Sequence, residues 1–257
     1  MAAFAVETSI VIPCYNGAPV IAKSLEVLTA YVTEAQDALG ACEIIVVDDG
    51  STDATAELVR DSFPDVRLLR HETNRGKGAA VRTGMLEANG RYRFFIDADM
   101  PYALDALSAM HRYLSFKEYD VTIGMRDPKQ LEPFVKRGLL RRVSSAVFTT
   151  FVGRIVITGV HDTQCGMKGF RAEVAEYLFR ESRSTGFAFD VEVLYLAYKN
   201  NLDTKRVPVR LVREDYSTVS VLRHGLPMLW DVLKLPMRYY SGRYTMMPPA
   251  DRPQEDS

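Results

Sequence analysis

The sequence predicts an α/β protein with a mixed, mainly parallel sheet flanked by helices. Three observations predict it. Short runs of buried-strand character alternate with helical stretches through the first half of the chain, the pattern of βαβ units. Two of those runs, Ile44 to Val47 and Phe94 to Ile96, end directly in carboxylates, and in open α/β sheets ligands bind beyond the carboxyl ends of the strands. The chain has 257 residues, 47% hydrophobic and 25% charged, with a net charge of −1. That is enough to bury a full core, and it excludes a general nucleic-acid binder.

The first strand is expected in SIVIPCY, stopped by Asn16-Gly17, with a helix following over about 18–38. EIIVV forms the second strand. The helix after it starts near Ser51-Thr52-Asp53, residue types that favour helix N-termini. VRLLRH is the third strand, and KGAAVRTGMLEA a helix closing at Asn89-Gly90. FFIDAD is the fourth strand, Pro101 suits the start of a helix reaching about Phe116, and DVTIGM is the fifth strand.

From Arg126 to Arg154 the chain turns basic and amphipathic, with Lys129, Lys136, Arg137, Arg141 and Arg142. HDTQCGMKGF, whose residues 161–166 read as a tight loop, and a helix over about 172–181 follow. Then come the apolar GFAFDVEVLYLAYKNN, the strand-like TKRVPVRLV and the hydrophobic-basic SVLRHGLPMLWDVLKLPMRYY. Residues 1–245 read as one domain, with a nucleotide-binding half over about 7–125 and an acceptor-side half over about 126–245. Residues 246–257 read as a disordered polar tail.

The three cysteines, Cys14, Cys42 and Cys165, are scattered and lack metal-type spacing, which favours a reducing compartment. MAAFAVETSIVIP has no basic n-region, and no window reaches the roughly 20 apolar residues of a spanning helix. A cytoplasmic protein is expected. Peripheral contact with the membrane inner face would run through the basic stretch and the segment around Trp230, Leu233 and Tyr240. The sequence is also compatible with a homodimer.

Asp97 and Asp99, either side of Ala98, occupy alternate positions of an extended stretch and so are expected to point the same way. Two hard oxygen donors at a strand end suit Mg²⁺ or Mn²⁺, which would also hold substrate phosphates. Capping accounts for Ser51 and Asp53 but not for two adjacent acids, so Asp48 or Asp49 is expected to contact a nucleobase or ribose. Asn74-Arg75-Gly76-Lys77-Gly78 opens a helix. Its glycines admit close backbone approach, and Lys77 and Arg75 at a helix N-terminus favour an anion. It is neither a P-loop nor a dinucleotide fingerprint. Asp162, Gln164, Cys165 and Gly166 share one loop, and His161 beside them is read as a structural loop histidine. Asp190 and Glu192 lie amid apolar residues at a strand or helix start, where buried acids need partners such as Lys168 or Arg171. If the acceptor is a hydroxyl, Asp162 or Asp190 would take its proton.

IVIPCYNG, EIIVVDDGSTD, NRGKGAAVRTGM, FFIDADM, DTQCGMKGF and FAFDVEVLYLA together resemble the inverting family-2 glycosyltransferases of the GT-A fold. The likeness runs in the family's order over about residues 7–235. It is nearest to the branch of dolichyl-phosphate glucosyltransferases and polyprenyl-phosphate sugar synthases. The resemblance implies transfer of a hexosyl group, first of all glucose, from a UDP-sugar to a polyprenyl phosphate. Transfer to a hydroxyl of a small metabolite is the alternative. It implies Asp48 or Asp49 on the base and Pro13, Tyr15 and Asn16 along the nucleotide. Lys77 would lie nearby, Asp97, Ala98 and Asp99 would sit at the metal and diphosphate, and Arg126, Gln164, Cys165 and Gly166 would border the acceptor. The chain departs from the family at Met100, where glycine or leucine is usual, at Gly17, where glutamate is usual, and at Ser217-Thr218, where many relatives are basic.

Overall fold

The computed structural model describes residues 5–126, 165–212 and 221–247. Seven strands form one sheet: β1 (Thr8–Cys14), β2 (Cys42–Asp48), β3 (Arg67–Arg70), β4 (Tyr92–Ile96), β5 (Val121–Arg126), β6 (Met167–Arg171) and β7 (Thr204–Val209). Their order is β3-β2-β1-β4-β6-β5-β7. Pairing is parallel except where β6 lies antiparallel between β4 and β5. The mixed, mainly parallel sheet expected from the sequence is therefore present.

Parallel strands covered on both faces read as continuous apolar runs, and the alternation inside those runs sorts their side chains. Val11, Ile45, Val47 and Phe95 point into one core, under helices α4 (Lys77–Glu87), α6 (Ala172–Glu181) and α7 (Phe189–Lys199). Ile10, Ile12, Val46, Phe94 and Ile96 point into the other, under α1 (Ala18–Glu34), α3 (Thr55–Ser62) and α5 (Asp105–Ser115). A short helix, α2 (Gln36–Leu39), follows α1, and α8 (Val221–Tyr240) closes the described fold.

Several boundaries differ from expectation, each for a local reason. The helix expected over 18–38 breaks at Ala35. The helix expected from Pro101 starts at Asp105 because residues 101–103 pair with 210–212: Val212 N–H donates to the Pro101 carbonyl at 2.8 Å and Ala103 N–H to the Arg210 carbonyl at 2.9 Å. Of the strand or helix start expected for the FDVE acids, the structure has the helix, α7. Met167–Arg171, to which no strand was assigned, is strand β6. Met247, assigned to the tail, is buried in the core, and its N–H donates to Asn200 Oδ1 at 2.9 Å. The basic stretch over 127–154, Ser217-Thr218 and the tail from 248 onward lie outside the described residues.

Candidate active site

β1 is followed by β2 on one side in the sheet and flanked by β4 on the other. The strand order therefore reverses between β1 and β4, and a crevice opens at their carboxyl ends. The loops that meet there are 15–17 after β1, 49–54 after β2 and 97–100 after β4. The first two are laced together. Asn16 N–H donates to Ser51 Oγ at 2.8 Å, and Thr52 N–H returns a bond to Asn16 Oδ1 at 2.9 Å. Asp53 accepts from Ala18 N–H and Thr55 N–H, both at 3.1 Å, tying the starts of α1 and α3 to one carboxylate. These bonds help hold its pKa below the usual value, against the opposing pull of desolvation. Pro13 is buried within β1, whereas Tyr15 stands 50% exposed over the lip.

Asp48 and Asp49 are both buried and both held by the protein. Asp48 Oδ1 accepts Ser51 N–H at 3.0 Å, and its Oδ2 lies 3.1 Å from Arg70 Nε. Asp49 Oδ1 meets His71 Nδ1 at 2.6 Å and Arg75 N–H at 2.9 Å, while Oδ2 accepts Gly76 N–H at 2.8 Å. Asp49 thus fastens the β3–α4 loop to the end of β2. The sequence did not single out His71; its register position beside Asp48, at the end of β3, is what brings it there.

Asp97 and Asp99 do not alternate on an extended strand as expected. β4 stops at Ile96, and residues 97–100 form a turn closed by Met100 N–H to the Asp97 carbonyl at 3.0 Å. Met100 takes φ +42 with its side chain buried, a backbone region glycine enters most easily. The departure at this position is therefore a conformational one.

Lys77, the first residue of α4, places Nζ 2.6 Å from Asp97 Oδ1, with the rings of Phe187 and Phe189 each 5.9 Å away. Desolvation alone would lower the lysine pKa, but Asp97, Asp190 and Asp99 together outweigh it and raise the value. The glycines beside it admit backbone, as expected, but it is protein backbone. A Cβ on Gly76 would lie 2.5 Å from the Thr185 carbonyl oxygen, and one on Gly78 2.5 Å from that of Ser184. Ala79 N–H already donates to Thr185 at 3.2 Å. The α4 N-terminus is thus covered by residues 184–186, which corrects its reading as an open anion cradle.

On the far side of Asp97, β6 and the residue just before it supply two more groups. A Cβ on Gly166 would fall 1.8 Å from Asp97 Oδ2, so only glycine leaves that carboxylate its place. Lys168, fully buried, puts Nζ 2.5 Å from Asp190 Oδ1 and 2.8 Å from the Cys165 carbonyl. Of the two partners considered for the FDVE acids, Lys168 takes Asp190, while Arg171 pairs with Glu173. Burial nonetheless raises the Asp190 pKa, more than Lys168 and Lys77 lower it. Glu192 is structural: it accepts Arg183 N–H, Ser184 N–H and the Tyr244 hydroxyl.

Gly166 thus reaches the site. Cys165 is fully buried, and a Cβ on Gly124 would lie 2.7 Å from its sulfur, so its thiol packs inside rather than bordering an acceptor. Arg126 ends β5 at the same edge of the sheet, while Asp162 and Gln164 lie outside the described residues. Among the described residues no group of three or more His, Cys, Asp or Glu assembles a closed metal cage. The hard carboxylate oxygens of Asp97 and Asp99 would suit a divalent cation held in the open mode, with the remaining positions left to phosphate and water. Asp97 Oδ1 already carries a cationic group, the Lys77 ammonium, while Oδ2 packs against Gly166.

Residues 9–179 match the family model described as Glycosyl transferase family 2. The chain is 32% identical to a dolichyl-phosphate beta-glucosyltransferase of Dictyostelium discoideum, over 91% of this chain and 75% of that one. It is 31% identical to the protein of the same name from Saccharomyces cerevisiae, over 92% and 76%. In fold it is similar to glucosyl-3-phosphoglycerate synthase from Mycobacterium tuberculosis, solved with Mn²⁺, UDP and glucosyl-3-phosphoglycerate: TM-score 0.60, 17% identity, 95% of this chain and 82% of that one. A mannosyl-3-phosphoglycerate synthase from Rubrobacter xylanophilus shares the fold at TM-score 0.64 and 17% identity, over 94% and 77%. With carboxylates and a lysine gathered at the β1/β4 crevice and a match spanning most of its length, this chain belongs to glycosyl transferase family 2 and has the GT-A fold.

Proposed function

We propose that this protein transfers glucose from UDP-glucose to a polyprenyl phosphate of the dolichyl type, with inversion at the anomeric carbon. The observation that carries the sugar and the acceptor is the near full-length likeness to relatives bearing that name. Asp97 and Asp99 would hold Mg²⁺ or Mn²⁺, which when bound offsets the charge of the departing diphosphate. Tyr15, exposed on the β1 loop, would stack on the base. Asp48 and Asp49 would act on the nucleotide side mainly by holding the loops that shape it.

Of the two candidate bases, Asp162 lies outside the described residues and Asp190 suits a hydroxyl acceptor poorly. A hydroxyl acceptor needs a base with a reachable oxygen, and Asp190 is 3% exposed with Oδ1 bonded to Lys168. A phosphate oxygen is already anionic, so positioning and electrostatics suffice. No described helix is long and apolar enough to cross a membrane. The lipid would be met from the cytoplasmic side through α8, where Trp230, Leu233, Met237 and Tyr240 stand exposed at i, i+3, i+7 and i+10.

The test is incubation with nucleotide sugars and Mg²⁺ or Mn²⁺, with and without polyprenyl phosphate, and products read by mass spectrometry. Glucosyl-phospholipid should form, and Asp99→Asn should abolish it in a protein of unchanged fold. Glucosylation of small hydroxyl compounds alone would refute the acceptor, and full activity in Asp99→Asn would refute the metal.

A further inference from the structure

Lys77 is held where a cation on Asp97 would sit. Its ammonium is 2.6 Å from Asp97 Oδ1, and the carboxylates of Asp97, Asp99 and Asp190 all act on it. The backbone of α4 is fixed by the 184–186 contacts, but the long side chain is not, and about a fifth of it reaches solvent. Lys77 and Lys168 already offset much of the negative charge of these acids. What remains is a weak attractor for a divalent ion so long as Lys77 stays.

We propose that Lys77 competes with the divalent cation for Asp97, so that metal is taken up together with the donor diphosphate, onto which the lysine moves. A diphosphate brings the negative charge that both cations need. Lys77 is then a positioning residue with two opposite effects. It weakens metal binding to the protein alone and strengthens binding of the metal–nucleotide pair. Such an arrangement keeps the carboxylates neutralised and keeps the ion from settling in an unproductive place before substrate arrives. The idea rests on the metal reading above and can fail separately from it.

Mn²⁺ titration followed by electron paramagnetic resonance, on wild type and Lys77→Gln, with and without UDP, tests it. Without UDP, removing one positive charge this close to a ligand should tighten Mn²⁺ binding roughly tenfold or more. With UDP, the same variant should bind the Mn²⁺–UDP pair more weakly than wild type. Adding Asp99→Asn to Lys77→Gln should abolish the gain, and Lys77→Arg, which keeps the charge, should bind like wild type. Lys77→Met repeats the measurement if the glutamine variant melts early. Unchanged or weaker Mn²⁺ binding by Lys77→Gln without UDP, beside normal Mn²⁺–UDP binding by wild type, overturns the competition and leaves the metal site standing. No Mn²⁺ binding by any form, with or without UDP, overturns both.

Discussion

Lys168→Met removes one half of an ion pair that has almost no contact with water. Lys168 is 0% exposed and Asp190 3%, with 2.5 Å between Nζ and Oδ1. The variant strands a buried carboxylate, which costs about 3–5 kcal/mol. It also forfeits the bond to the Cys165 carbonyl and the contact with the Phe95 ring, 5.2 Å from Nζ. At the size of this chain that is a fall in melting temperature of roughly 10 °C. The loss should depend on pH. Asp190 holds its proton more tightly folded than unfolded, and more so once Lys168 is gone. Between the unfolded carboxylate value, about 3.9, and the higher folded value, the native state binds more protons, so lowering pH through that window stabilises the variant. Denaturant unfolding followed by circular dichroism at pH 7.5 and 5 should show the gap to wild type narrowing on acidification. Lys168→Met combined with Asp190→Leu, which removes both charges, should recover most of the loss. A single variant within about 1 kcal/mol of wild type, or a double variant no better than the single, would refute the reasoning.

Gly166→Ala forces a Cβ to 1.8 Å from Asp97 Oδ2; because a side-chain end can move, the fold should survive, with turnover falling on the order of 100-fold from misplacement of the carboxylate. A melting temperature unchanged alongside wild-type rates would be the wrong outcome. His111 is buried against Tyr92 with neither ring nitrogen hydrogen-bonded, and burial, helped by Arg91, pushes its pKa down to about 4. Below pH 6.5 the unfolded chain takes up a proton that the folded one refuses, so stability should fall by about 2 kcal/mol between pH 7.5 and 5. His111→Leu should lose less over the same interval, measured by denaturant unfolding. Trp230→Ser combined with Met237→Ser strips two of the exposed apolar groups of α8 and should lower partitioning onto anionic vesicles about tenfold or more in co-sedimentation. Equal partitioning would rule out that face.

The central sheet was legible because its strands advertise themselves: Ile44–Val47 and Phe94–Ile96 are apolar on both faces and stop at acids. β6 was not, since Met167–Arg171 contains Lys168 and Gly169 and becomes a strand only through its neighbours β4 and β5. Asp97 and Asp99 stood out by their place at a strand end, but the turn they form, closed at Met100 with its positive φ, did not. Lys168 was named as a partner for Asp190 because a buried acid must have one. The attachment of Asp49 to His71 depends on how β2 and β3 align across 22 residues of sequence, which no local pattern records.

β5 and β6 run antiparallel, with Ile123 opposite Lys168, so Arg126 and Cys165 stand as neighbours at one rim. The two chain ends there lie about one strand spacing apart. Lengthening an insert between them costs little, since closure entropy grows only with the logarithm of its length. Insertions between those two posts therefore need not disturb the sheet that anchors them.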